Sequence, residues 1–118
     1  MIADPLPGIL ILDHNDIDDL SPLAKLKKLR YLNLADNLLV DLEPLAGLPS
    51  LVSINLDGNR LSTLDQLQGL TGLTVSAKAN PLLSRDCPIP LGTCLVDEDP
   101  TLPFLPYVYR DGGTNRSF

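Results

Sequence analysis

The stretch Leu29-Arg30-Tyr31-Leu32-Asn33-Leu34-Ala35-Asp36-Asn37-Leu38-Leu39-Val40-Asp41-Leu42-Glu43-Pro44-Leu45-Ala46-Gly47-Leu48 decides the fold. Its neighbours on both sides repeat it. Asn15, Asn37 and Asn59 are 22 residues apart, and Asn80 follows one residue early. The leucines keep the same beat at Leu20, Leu42 and Leu64, at Leu23, Leu45 and Leu67, and at Leu26, Leu48 and Leu70. A period of this length marks stacked repeats that bury a continuous thin core, each layer covering its neighbour.

Two shorter periods follow one another inside each unit. Leu32 and Leu34, or Ile54 and Leu56, alternate with polar residues, as in a short strand with one face buried. The later spacing of three at Leu42, Leu45 and Leu48 fits tight 3₁₀ or irregular helical turns. Ser21 and Asp41 are residues that cap such turns, and Pro22 and Pro44 sit where a missing N–H costs nothing. The asparagine falls just after the strand, where the chain bends while its backbone becomes buried between layers. Its amide offers both a donor and an acceptor to those backbone groups, which neither Asp nor Leu can do. The fourth unit, Leu73-Thr74-Val75-Ser76-Ala77-Lys78-Ala79-Asn80, reads as short by one residue in its strand and carries Ala77 at a core site. The third unit replaces the proline pair by Asp65-Gln66.

The motif Leu29-x-x-Leu32-x-Leu34-x-x-Asn37-x-Leu39-x-Asp41-Leu42-x-Pro44-Leu45-x-x-Leu48 resembles the leucine-rich repeat family. It is similar to the 22-residue class found in protein phosphatase regulatory subunits and bacterial internalins. The resemblance covers roughly residues 7–83 and implies an α/β solenoid. That is a short, curved leucine-rich repeat body with a parallel β-sheet on its concave side and 3₁₀ or irregular turns on its convex side. It further implies a protein-binding module. The expected organisation is a solenoid of about four repeats over 1–83, a C-terminal cap and extended arm over 84–110, and a disordered tail over 111–118.

Beyond Leu83 the leucine rhythm stops. Cys87 and Cys94 are seven residues apart and enclose two prolines and a glycine. Either a disulfide staples a cap over the last repeat, or two thiols remain reduced. Asn80-Pro81-Leu82 with Cys87-Pro88 and Cys94 resembles terminal segments of some bacterial leucine-rich repeat proteins, which implies a cap in both cases. The leader Met1-Ile2-Ala3-Asp4-Pro5 has no signal-peptide pattern, which favours the cytoplasm; an oxidised cysteine pair would point to a secreted or cell-surface protein.

A formal net charge of −6 and a pI near 4.4 argue against a nucleic-acid partner. The basic stretch Lys25, Lys27, Lys28 and Arg30 reads as a solvated outer face. No apolar run reaches the length of a membrane span. Asp16, Asp18 and Asp19 read as charged surface, not as a calcium loop, and no cofactor or metal is expected. No nucleophile elbow or phosphate loop is present, and Asp13 and His14, as successive strand residues, are expected to point to opposite sides. The chain therefore reads as non-enzymatic. The strand residues that alternate with the core would form one solvent-facing patch: Ile9, Ile11 and Asp13; Tyr31, Asn33 and Ala35; Ser53, Asn55 and Asp57; Thr74, Ser76 and Lys78. This patch is expected to bind another protein, with Tyr31 as the anchor. The alternative is a structural spacer, or a capping fragment of a longer repeat protein.

Overall fold

The computed structural model describes residues 8–97 and the backbone of residues 108–110. Expectations for residues 1–7, 98–107 and 111–118 lie outside the described residues, including the disordered tail. Six three-residue strands form one sheet in chain order: β1 (Ile9–Ile11), β2 (Tyr31–Asn33), β3 (Ser53–Asn55), β4 (Thr74–Ser76), β5 (Thr93–Leu95) and β6 (Val108–Arg110). The first five are parallel, and β6 adds antiparallel to β5. Three 3₁₀ segments, Ser21–Leu23, Glu43–Leu45 and Asp65–Leu67, lie on the return paths. The molecule is a short solenoid of the expected kind.

The register is level across the sheet. Leu10, Leu32, Ile54, Val75 and Cys94 pair side by side, all buried. Leu34, Leu56 and Ala77 form a second buried column, and the leucines of the 3₁₀ segments close the layer from the other side. Each fully buried leucine is worth about 1.5–3 kcal/mol relative to exposure, so a repeat with five or six of them has a core of its own only while its neighbours cover it.

The fourth layer keeps its strand intact. Ser53 pairs with Thr74 and Ile54 with Val75, so the missing residue is the one that stands between Leu51 and Ser53 in the third repeat, directly before the strand. The sequence reading placed the loss inside the strand; the hydrogen-bonded register does not tolerate that, because a one-residue slip would turn every side chain over. The sheet also runs one parallel strand past Leu83. Ile89, Cys94 and Val96 fill that layer in place of leucines, and Cys87 and Cys94 are joined by a disulfide, their Cα atoms 5.5 Å apart. Gly92 is required there, since a Cβ would come within 2.6 Å of the Leu73 carbonyl oxygen.

Candidate functional site

The asparagines set the geometry of the sheet's exit rim. Asn59 accepts the Leu39 N–H at 3.0 Å and donates to the carbonyls of Leu34, Leu56 and Asp57. Asn37 does the same one layer earlier, with Ile17 N–H and the carbonyls of Leu12, Leu34 and Ala35. Asn80 continues the series with Leu61 N–H and the carbonyls of Leu56, Ala77 and Lys78. Each amide thus ties its own bend to the layer before it. Among the described residues Asn15 bonds within its own repeat, at Leu12 O and Asp13 O, and it is exposed.

The residue before each asparagine is left-handed: His14 (φ 57), Asp36 (φ 57), Gly58 (φ 71) and Ala79 (φ 56). Asp, His and Gly are residues that tolerate this conformation, and Gly58 in this slot was the sequence signal that could have revealed it. The consequence corrects one expectation. At φ 57 the His14 side chain folds back beside Asp13 instead of pointing away from it. Its Nδ1 lies 2.7 Å from Asp13 Oδ2, and its Nε2 lies 3.0 Å from Asp36 Oδ2.

The expected concave patch divides into two parts. Ile9, Ile11, Tyr31, Asn33, Ser53 and Asn55 converge on an open groove of about 260 Å³ over the backbones of β1 to β3. Ile11 is 65% exposed and Tyr31 43%, with Ile9 beside them, while the same face of β3 and β4 is polar. Asn33 and Asn55 turn their side-chain oxygens onto the backbone N–H groups of Ala35 and Asp57, so their NH₂ groups are what they present to a ligand. Asp13, Asp57, Ser76 and Lys78 lie outside the groove. Asp57 Oδ1 accepts from Ser76 Oγ at 2.7 Å and from the Lys78 N–H at 2.8 Å, and these bonds brace β3 against β4. Asp97 does likewise for the Ala79 N–H.

Lys25, Lys27, Lys28 and Arg30 are all exposed, as expected, and two of them also make contacts on the surface. The Arg30 guanidinium carbon lies 5.7 Å from the centre of the Tyr31 ring, at cation–π distance. Lys27 Nζ reaches the Gly47 carbonyl in the next layer at 3.3 Å.

On the return paths, the Asp41 carboxylate accepts from the Glu43 N–H and from Gln66 Nε2. Those two bonds, the backbone one first, hold its pKa below the ordinary carboxylate value. Asp19 is lowered in the same direction by the Ser21 hydroxyl and then the Ser21 N–H. The side chain that accepts at the start of the first 3₁₀ segment is therefore Asp19, one residue before the N-cap Leu20, and the expected Ser21 is the donor. Among the described residues no group of three or more His, Cys, Asp or Glu is arranged to hold a metal ion. No helix of the described residues is long and apolar enough to cross a membrane.

A leucine-rich repeat model matches residues 9–61 of the chain. The repeats over that span are leucine-rich repeats, and the fold is a short leucine-rich repeat solenoid resembling those of bacterial internalins. The structure of an internalin C2 from Listeria monocytogenes is 32% identical, with a TM-score of 0.64, covering 74% of this chain and 41% of that one. An internalin (inlF) from the same organism is 26% identical, with a TM-score of 0.57, covering 70% of this chain and 27% of that one. The chain thus spans well under half the length of either protein. A search of curated proteins finds no match. Leucine-rich repeat domains are, in general, protein–protein interaction modules.

Proposed function

We propose that this chain is a non-enzymatic protein-binding module that takes its partner on the concave face, with Tyr31 as the anchor. The observation that carries this reading is the cluster of Ile9, Ile11 and Tyr31, which stand exposed side by side at one groove beside the polar face of β3 and β4. Tyr and large aliphatic side chains in such a setting supply most of the energy of protein interfaces. Asn33, Ser53 and Asn55 give the polar groups that fix orientation, and Asp13, Asp57, Ser76 and Lys78 form the rim. The groove is open, and both ring nitrogens of His14 already face carboxylates, an arrangement that favours recognition over catalysis. In the same reading residues 84–97, stapled by Cys87–Cys94, cap the core at its C-terminal end. No nucleic-acid or membrane partner enters it.

The test uses a photo-crosslinking amino acid at position 11, inside the groove, and at position 40, an equally exposed aliphatic site elsewhere on the surface. In extract of the source organism, an adduct formed from position 11, absent from position 40 and lost with Tyr31→Ala supports the concave face. Adducts from position 40 alone move the interface off the sheet. Adducts from neither position favour the structural spacer.

A further inference from the structure

The groove has opposite charges at its two ends. At the strand-entry end stand Lys28 and Arg30, immediately before β2. Neither has a carboxylate within ion-pair distance among the described residues. The Arg30 stem packs where Gly8 leaves room, since a Cβ on Gly8 would sit 3.1 Å from Arg30 Cγ, and the guanidinium rests over Tyr31. A guanidinium held this way is oriented in advance to receive a carboxylate through paired N–H donors.

At the strand-exit end stand Asp13, Asp36 and Asp57. His14 is shared between the first two, and Asp57 spends one oxygen on Ser76 and the Lys78 backbone. Small, buried Ala35 lies between Asp13 and Asp57, so the three carboxylates outnumber the rim's one lysine, Lys78, which stands beyond Asp57 on the side away from the groove. The chain's overall charge of −6 hides this division. Between the two ends lie the apolar side chains of Ile9, Ile11 and Tyr31. From Arg30 to the level of Asp13 is four to five residues of strand, about 15 Å at roughly 3.3 Å per residue.

Building on the concave-face reading, we infer that the groove is charge-polarised for an extended segment of a partner protein. That segment carries an acidic side chain at one end, a large apolar side chain in the middle and a basic side chain four to five residues from the acidic one. The acidic group lies over Arg30 and Lys28, the apolar one between Ile9, Ile11 and Tyr31, and the basic one against Asp13, Asp36 and Asp57.

The probe is a displayed library of random twelve-residue peptides, selected on the full chain. The best sequences are then synthesised and their dissociation constants measured. The inference expects enriched peptides with an acidic and a basic residue flanking an apolar one at that spacing. Their binding should weaken about tenfold with Arg30→Glu and with Asp13→Asn/Asp36→Asn, and weaken again as salt is raised on the unaltered protein. The salt series needs no variant, so a folding defect in one of them does not remove the test. Peptides that bind through Tyr31, judged by loss with Tyr31→Ala, but carry no charge pattern and ignore both Arg30→Glu and salt, overturn the inference and leave the concave-face reading standing. Peptides indifferent to Tyr31→Ala, or no enrichment over a blank surface, overturn both.

Discussion

Asn59 and Asn15 occupy the same slot of the repeat and do different amounts of work. Asn59 is 6% exposed and satisfies four backbone groups, two of them in the layer before it. Asn59→Asp sets a carboxylate against three carbonyl oxygens and should cost about 3 kcal/mol or more, because a buried charge loses its donors and gains repulsion. Asn15→Ala removes only exposed bonds within one repeat and should cost under about 1 kcal/mol. Urea unfolding midpoints of the two variants check this; equal losses would show that the cross-layer bonds contribute nothing. The spacing of these asparagines was legible from the sequence because their role recurs in every layer. The fold of His14 onto Asp13 was not. Strand alternation was extended one residue too far there, past the point where the backbone becomes left-handed.

The 3₁₀ segments show how one position can be filled by different chemistry. Asp19, Asp41 and Thr63 each accept the N–H two residues on. Proline occupies the first two segments. In the third, Gln66 takes its place and uses the freedom to bond the Leu42 N–H at 2.7 Å as well as Asp41. The absent proline is thus exchanged for a tie between layers, which no reading of a single repeat would show. Because Asp41 and Asp19 have depressed pKa values in the folded state, their ionised forms contribute stability above the ordinary carboxylate pKa. That contribution is lost as the pH falls through the folded values. Melting temperatures followed from about pH 6 to about pH 3 should therefore fall less steeply for Asp19→Asn/Asp41→Asn than for the unaltered chain. Parallel acid limbs would assign the loss to other carboxylates.

Across the whole molecule, successive layers advance by 22, 22, 21 and 19 residues between paired strands. The last layer is the most compressed and the poorest in leucine, which is why a leucine search ends at Leu83 while the sheet goes on to β5. Its disulfide closes a short loop and should contribute about 2–3 kcal/mol by restricting the unfolded chain. Thermal melts with and without reductant should differ accordingly. Hydrogen exchange should show protection lost first in β5, with β2 and β3 little changed, since neighbours in a stacked body are coupled mainly to one another. An unchanged melt would mean that the Ile89 and Val96 core suffices alone. The concave groove was legible in outline, because alternation places Ile9, Ile11 and Tyr31 on one face. The boundary between groove and rim was not, because it depends on which polar side chains turn back onto their own backbone.

The cross-layer asparagine bonds have a consequence for how such a body can change in length. Every interior bend both receives a donor from the layer behind and is met in the same way by the layer ahead. Removing or adding a whole 22-residue unit between Asn37 and Asn59 rejoins equivalent partners, and a residue can be dropped only where it leaves strand and bend in register, as directly before β4, where Asn80 keeps the same set of partners. Growth of this scaffold is therefore quantised. The breadth of its recognition face widens in steps of one strand, and between the steps there are no intermediate sizes.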